Sequence, residues 1–333
     1  MKFLVIGLGS MGKRRLRNLQ ALGMKQIAGV EPRLDRRLEC QEKYGILVFD
    51  KIEMAMQEFK PDVFVISTAP DLHMYYAGYA FEHAISCFIE ASVVDAEKIK
   101  NLSENIRGTN IIMAPSCTMR YYPGPKKIKE IIRNGIIGKV LNINYQTGQY
   151  LSDWHPWERV EEFYVSKRET GGAREIVPFE LTWINDIFGI PKALACVKAK
   201  LTDMQVDIDD IYHCLLQYDN NVVANLTVEV ISRPKATRDM RILGSEGEIV
   251  FSTDSNSVRY INTSMKEWIV FKFDAGTVES QYINPEEPYI EEMKDFVTAV
   301  QEKNQLLYPN SLEDDYLVLQ TLYALEKMTG DIT

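Results

Sequence analysis

The stretch Phe3-Leu4-Val5-Ile6-Gly7-Leu8-Gly9-Ser10-Met11-Gly12 decides how the chain is read. Four apolar residues of strand-forming type end in a glycine run, and a helical pattern from about Met11 to Leu22 follows, closed by Gly23. Glycines spaced G-x-G-x-x-G between a strand and a helix have a physical meaning. Gly7 permits the tight turn, Gly9 lets an anion approach the backbone, and Gly12 lets the helix pack on the strand. The amides of Ser10 and Met11 then open a helix whose N-terminal N–H groups suit a pyrophosphate. Glu31 adds a second signal at the end of the second strand, 19 residues after Gly12. A carboxylate there accepts hydrogen bonds from an adenosine ribose and repels a 2′-phosphate, which puts NAD ahead of NADP. Arg33 joins the expected cofactor contacts, and with Arg36, Arg37, Lys13 and Arg14 it keeps a route open for that phosphate.

Outward from this unit, strands and helices alternate. Strand patterns at Gln26 to Glu31, Ile46 to Phe49, Val63 to Ile66, Ser86 to Ile89 and Ile111 to Ala114 are separated by helical ones, with Gly45 and Pro61 as stops. Alternation with short connections predicts a doubly wound parallel sheet, a Rossmann-type α/β domain over residues 1–118. Beyond Pro123 and Gly124 the texture changes. One helix leads into Val140 to Tyr150, and alternating runs at Ile211 to Tyr218, Val222 to Ile231, Met240 to Leu243, Gly247 to Phe251, Val258 to Ile261 and Trp268 to Phe273 predict a large, mainly antiparallel open sheet. Helices near Pro288 to Lys303 and Ser311 to Met328 supply apolar cover. Residues 119–333 therefore form an α+β domain for substrate binding and oligomerisation, whose C-terminal helix is able to pack back on the first.

Composition bounds the partners. The chain has 333 residues, 46% hydrophobic and 26% charged, with 38 Lys plus Arg against 47 Asp plus Glu and a formal net charge of -9. That field repels nucleic acid and anionic membranes, and no apolar run suits a spanning helix. The basic residues at Lys13 to Arg15 follow the N-terminal apolar stretch, the reverse of a signal peptide. Five dispersed cysteines without a C-x-x-C pair argue against a disulfide framework and a zinc site, and four dispersed histidines argue against any metal. A soluble, cytoplasmic protein is expected.

Ser67-Thr68-Ala69-Pro70 followed by His73, Gly135-Ile136-Ile137-Gly138-Lys139-Val140, and Gly244-Ser245-Glu246-Gly247 resemble motifs of the glucose-fructose oxidoreductase, inositol dehydrogenase and MocA (Gfo/Idh/MocA) family. The resemblance covers nearly the whole chain. Asp153-Trp154-His155-Pro156-Trp157, Tyr164 and Gly171-Gly172 resemble a branch associated with surface-sugar biosynthesis. The resemblance implies NAD(P) at the strand ends and a sugar or polyol in a cleft between two domains. It makes Thr68, Ala69, Pro70, His73 and Glu90 cofactor contacts, with His73 near the nicotinamide ribose. It also implies pairing through the open sheet face, hence a homo-oligomer, dimer or tetramer.

The resemblance fails at the chemistry. The family's Glu-Lys-Pro motif supplies a lysine that polarises the reacting oxygen, and an Asp and a His follow a Gly-Gly run. Here the first motif reads Glu90-Ala91-Ser92, so the lysine position is Ala91. After Gly171-Gly172 the Asp slot falls on Ile176 or Val177 and the His slot on Phe179 or Glu180. Among the remaining polar groups, Glu180 and His155 are the expected acid-base residues, and the alternative for Glu180 is a helix-surface glutamate. Arg120, Tyr122, Trp157, Lys167 and Arg174 are candidate substrate contacts, alongside Tyr121, Arg168 and Glu175. Both Arg120 and Arg174 suit a phosphate or carboxylate equally with a structural ion pair. The expected function is an NAD-dependent oxidoreductase acting on a CH–OH of a sugar derivative, a sugar phosphate or nucleotide sugar among the options, with a non-standard acid-base set. Its rivals are a catalytically silent NAD-binding partner subunit and an NAD-retaining epimerase, lyase or dehydratase.

Overall fold

The computed structural model describes residues 1–154, 159–280 and 282–328. The chain divides into two compact units, the first made of Met1–Thr118 and Gly276–Tyr316, the second of Met119–Ala275 and the residues from Leu317 onward.

In the first unit, β1 (Phe3–Ile6), α1 (Ser10–Ala21), β2 (Ile27–Val30), α2 (Leu34–Tyr44), β3 (Leu47–Phe49), α3 (Ile52–Glu58), β4 (Val63–Ile66), α4 (His73–Glu82), β5 (Ser86–Ile89), α5 (Ala96–Asn105) and β6 (Met113–Pro115) follow in order. The six strands make a parallel sheet in the order β3-β2-β1-β4-β5-β6. Strands β1, β2 and β4 are buried at every residue, because helices cover both faces and each side chain needs an apolar neighbour. The order reverses beside β1, where β2 and β4 flank it on opposite sides. Ligands of such sheets bind at that switch point, beyond the strand ends.

The second unit begins with α6 (Pro123–Arg133), β7 (Val140–Gly148) and α7 (Ala173–Phe188), then β8 (Lys192–Ala199), β9 (Ile211–Tyr218), β10 (Val222–Glu229), β11 (Thr237–Gly244), β12 (Gly247–Ser252), β13 (Ser257–Asn262) and β14 (Ile269–Lys272). These strands form one eight-stranded sheet, ordered β14-β13-β12-β11-β7-β10-β9-β8, antiparallel throughout except between β7 and β10. Ile143, Tyr145 and Thr147 of β7 turn to the covered face while Asn144 and Gln146 turn outward, the period of two that one-sided cover imposes. Helix α7 lies on β9 and β10, and α6 on β12 and β13.

The last two helices are α8 (Glu287–Glu302) and α9 (Leu312–Lys327). Sequence patterning allows only the C-terminal helix to return to the first domain from residues 119–333, whereas the whole segment Gly276–Tyr316, with α8, belongs to the first unit. Met293 and Phe296 of α8 are fully buried, Phe296 against Phe88, and ion pairs add to this apolar contact. Arg14 Nε donates to Glu286 at 3.0 Å and Arg15 Nη1 to Glu292 at 2.9 Å, partners that strand and helix patterns do not reveal.

Candidate functional site

The first unit carries a cradle at the end of β1. Gly7 holds φ +88°, and a Cβ there would come within 2.6 Å of the Ser67 carbonyl oxygen. At Gly12 a Cβ would lie 1.9 Å from the Gly7 oxygen, so turn and helix fit only as glycine. Gly9 is different, since a Cβ would meet nothing nearer than Arg36 at 3.4 Å. The fold does not require a glycine there, whereas a backbone open to a phosphate does. Gly9 is also the N-cap of α1, which has no side-chain cap and no acidic residue in its first turn, leaving Ser10 and Met11 in a helix start that suits an anion.

Glu31 stands beside this turn, 4% exposed. Its Oε2 accepts from the Leu8 amide at 2.9 Å and its Oε1 from the Arg33 amide at 3.1 Å, which fixes the carboxylate against the glycine loop. The cations nearby are mostly engaged. Lys13 pairs with Glu39, Arg14 with Glu286, and Arg33 with Asp35, while Arg37 donates to the carbonyls of Glu31 and Pro32. Arg36 lies 3.9 Å from the Glu31 carboxylate.

At the end of β4, Thr68 and Ala69 lead into a short turn at Pro70–Leu72, and His73 opens α4. His73 is 2% exposed, and its Nε2 donates to the Thr68 carbonyl oxygen at 3.0 Å. Burial lowers its pKa, outweighing the Thr68 hydrogen bond, so the ring is neutral at pH 7. With the proton on Nε2, Nδ1 is an acceptor, and it is buried without a partner among the described residues. An orphan acceptor beyond the strand ends fits a sugar hydroxyl of a dinucleotide. These groups together fit NAD.

Glu90, expected as a cofactor contact, is held from behind. Arg15 Nε and Nη2 donate to its two oxygens at 2.7 and 3.0 Å, and Ser67 Oγ donates at 3.3 Å. Arg15 is wholly buried, with Glu292 and Ser116 as further partners, and its guanidinium carbon lies 4.3 Å from the centroid of the Phe88 ring. Burial opposes its charge, but the Glu90 and Glu292 carboxylates more than offset this and raise its pKa. Glu292 in turn accepts from the Cys117 amide, Thr118 Oγ1 and Tyr308. The next residue after Glu90 is Ala91, so no ammonium stands at the family's lysine position.

In the second unit the two glutamates of α7 differ. Glu180 is fully buried, and its carboxylate accepts from Tyr145 Oη, Trp183 Nε1 and Arg238 Nη2, each at 2.7 Å. Arg238, on β11, was missed by sequence reading because one arginine in an alternating strand looks like a solvent-facing residue. Glu175, in the first turn of the helix, has one donor. Tyr164 Oη gives its proton to Glu175 Oε1 at 2.7 Å, while Oε2 is shut off from solvent without a partner among the described residues. Burial pushes the Glu175 carboxyl up to about 8, against the lowering effect of Tyr164.

The candidate substrate cations are engaged. Arg120 Nε donates to the Thr182 carbonyl oxygen at 3.1 Å with Asp186 3.9 Å away, and Arg174 pairs with Glu326 at 2.6 Å. Tyr122 is half-buried and interacts electrostatically with Arg238; Lys167 is exposed. The residues brought together are thus Glu180, Arg238 and Tyr122 in one cluster and Glu175 with Tyr164 in another. His155 and Trp157 lie outside the described residues. Within those residues, no group of three His, Cys, Asp or Glu side chains could hold a metal ion, all five cysteines are free, and no helix is long and apolar enough to cross a membrane.

Comparison with known proteins agrees with this geometry. No curated protein matches the chain by sequence. Solved structures match its fold over almost its whole length. A levoglucosan dehydrogenase in complex with NADH and levoglucosan is 19% identical, with 98% of this chain and 96% of that chain covered and a TM-score of 0.83. An oxidoreductase from Agrobacterium radiobacter in complex with NAD+, L-tartaric acid and magnesium is 13% identical over the same shares, TM-score 0.83. A myo-inositol 2-dehydrogenase from Lactobacillus plantarum is 18% identical, again covering 98% and 96%, TM-score 0.81. Residues 1–114 match the family description "Oxidoreductase family, NAD-binding Rossmann fold", and residues 126–250 match "GFO/IDH/MocA C-terminal domain". With both halves matched and the glycine cradle, Glu31 and the eight-stranded sheet in place, the chain belongs to the Gfo/Idh/MocA family of NAD-binding oxidoreductases.

Proposed function

We propose that this protein is an NAD-dependent oxidoreductase acting on a CH–OH group of a sugar or polyol, with an acid-base set that differs from the family's. The observation that carries the reading is the cradle, in which Gly9 is open where nothing in the protein requires glycine and Glu31 is locked beside it. Amides from Gly7 to Gly12 would hold the pyrophosphate, Glu31 the adenosine ribose, and Thr68, Ala69, Pro70 and His73 the nicotinamide end. When bound, NAD supplies a hydride acceptor. Glu31 favours it over NADP, because Arg14, Arg33, Arg37 and Lys13 already have partners.

The names of the similar structures, levoglucosan dehydrogenase and myo-inositol 2-dehydrogenase, support an uncharged ring as the first substrates to try. So does the engagement of Arg120 and Arg174, which leaves the phosphorylated and nucleotide-linked sugars as the second choice. We assign Glu180 to fixing Arg238, Tyr145 and Trp183, and any homo-oligomer contact to the polar open face of the sheet. Ala91 favours one rival, a silent NAD-binding subunit, since the usual ammonium is gone.

Titration calorimetry of stripped protein with NAD, NADH, NADP and NADPH, followed by an absorbance screen of sugars and polyols, tests the reading. Selective NAD or NADH binding with turnover of one compound is the expected result. Binding without any turnover would favour the silent subunit, and cofactor surviving purification without net turnover the NAD-retaining enzymes.

A further inference from the structure

We propose that Tyr282 is a positioning residue for the cofactor's pyrophosphate, acting through the peptide between Ser10 and Met11 at the start of α1. The inference rests on the NAD reading above, and every residue in it belongs to the first unit.

Helix α1 leaves its start without a side-chain cap. Its N-cap is Gly9, which has nothing to offer the amide two or three residues on, and Met11 is the residue two beyond it. Tyr282 reaches this point from 272 residues away, and its hydroxyl donates to the Ser10 carbonyl oxygen at 2.8 Å. The Ser10 carbonyl and the Met11 N–H belong to one planar peptide group and point in opposite directions. A donor on that carbonyl therefore fixes the direction of the Met11 N–H and, by polarising the peptide, makes it a stronger donor to an anion.

The tyrosine is itself held. Ser10, Arg14 and Arg17 fall on one face of the helix, and the guanidinium carbons of Arg14 and Arg17 lie 4.6 and 4.5 Å from the Tyr282 ring centroid. Arg14 Nη2 donates to the Asn284 carbonyl oxygen at 3.1 Å, and both arginines donate to Glu286 Oε1 at 3.0 Å, so the chain just after Tyr282 is tied to the same helix face. On the other side of Tyr282, Glu279 pairs with Lys43 of α2. Ring and hydroxyl thus have separate tasks. The ring carries two cations and seats the tyrosine on α1, whereas the hydroxyl acts on the peptide whose N–H opens toward the glycine cradle.

Tyr282→Phe keeps the ring and removes only the hydroxyl. Calorimetry of the full chain should then show NAD and ADP weakened by about three- to tenfold, with a thermal midpoint close to the parent's. Adenosine has a ribose for Glu31 but no phosphate for the helix start, and it should bind both forms alike. In NMR spectra of the cofactor-free protein, isotopically labelled at methionine nitrogen, the Met11 amide proton should move upfield as its peptide loses polarisation. A purely structural role for the ring would leave that signal in place. Unchanged NAD affinity, adenosine weakened by the same factor as NAD, or an unmoved Met11 signal would overturn the inference alone. A Tyr282→Phe chain that fails to fold would overturn it too, by making the hydroxyl a requirement of the fold. A parent protein that binds neither NAD nor ADP would overturn the NAD reading itself, and this inference with it.

Discussion

Arg15 grips Glu90 at two points, Nε at 2.7 Å and Nη2 at 3.0 Å, with the guanidinium wholly buried and a second carboxylate, Glu292, on its remaining side. This ties the end of β5 to the glycine-loop helix and to α8. Taking one member away leaves a charge with no water to solvate it. Glu90→Gln should therefore cost about 3 to 5 kcal/mol of unfolding free energy in urea titrations. Unchanged stability would mean that Glu90 answers to a ligand rather than to Arg15.

The glycines of the cradle divide into two kinds, and alanine separates them. Gly12→Ala pushes a Cβ to 1.9 Å from the Gly7 carbonyl oxygen, a backbone atom that cannot step aside, so the variant should unfold at lower temperature or fail to accumulate. Gly9→Ala meets only the tip of Arg36 at 3.4 Å and has φ -72°, which alanine adopts freely. Its stability should stay within about 0.5 kcal/mol of the parent. NAD affinity measured by calorimetry should nevertheless fall at least about tenfold, about 1.4 kcal/mol.

Much of this was legible in the sequence, for reasons that also mark the limit. Val63 to Ile66 reads as a strand because burial on both faces selects for four apolar residues in a row. The same logic of period two exposes β9 through Tyr212, Cys214 and Leu216. The G-x-G-x-x-G spacing is local, so it survives without any structure. What escaped is long-range. Arg14 and Arg15 look like a solvent face of α1, yet both are buried, because Glu286 and Glu292 arrive from more than 270 residues away. Glu175 and Glu180 sit five positions apart on one helix, and no periodicity says that one receives three donors and the other only Tyr164.

Glu31 fixes the Leu8 amide, and in the proposed function its carboxylate also meets the ribose. Glu31→Ala removes both and should weaken NAD by about 1 to 3 kcal/mol. Glu31→Gln keeps a carbonyl acceptor for the Leu8 amide but removes the charge that repels a 2′-phosphate. The ratio of NADP to NAD affinity should consequently rise in Glu31→Gln, and an unmoved ratio would assign cofactor choice to another group.

The Glu175 carboxyl leaves a mark on stability that needs neither cofactor nor substrate. An unfolded chain ionises this group near its ordinary 4.5, whereas the folded protein holds it to about 8, so the folded state binds more protons across that interval. Stability is then undiminished below 4.5, falls as pH rises, and settles at its lowest contribution above 8. The slope is on the order of 1.4 kcal/mol for each pH unit, reduced to the extent that water reaches the group. Glu175→Gln cannot ionise and escapes the loss. In thermal unfolding at matched ionic strength, the variant should overtake the parent above about pH 8 and show no such gain near pH 4.5. A constant difference across the range would mean that the buried carboxyl titrates alike in both states, contrary to its burial.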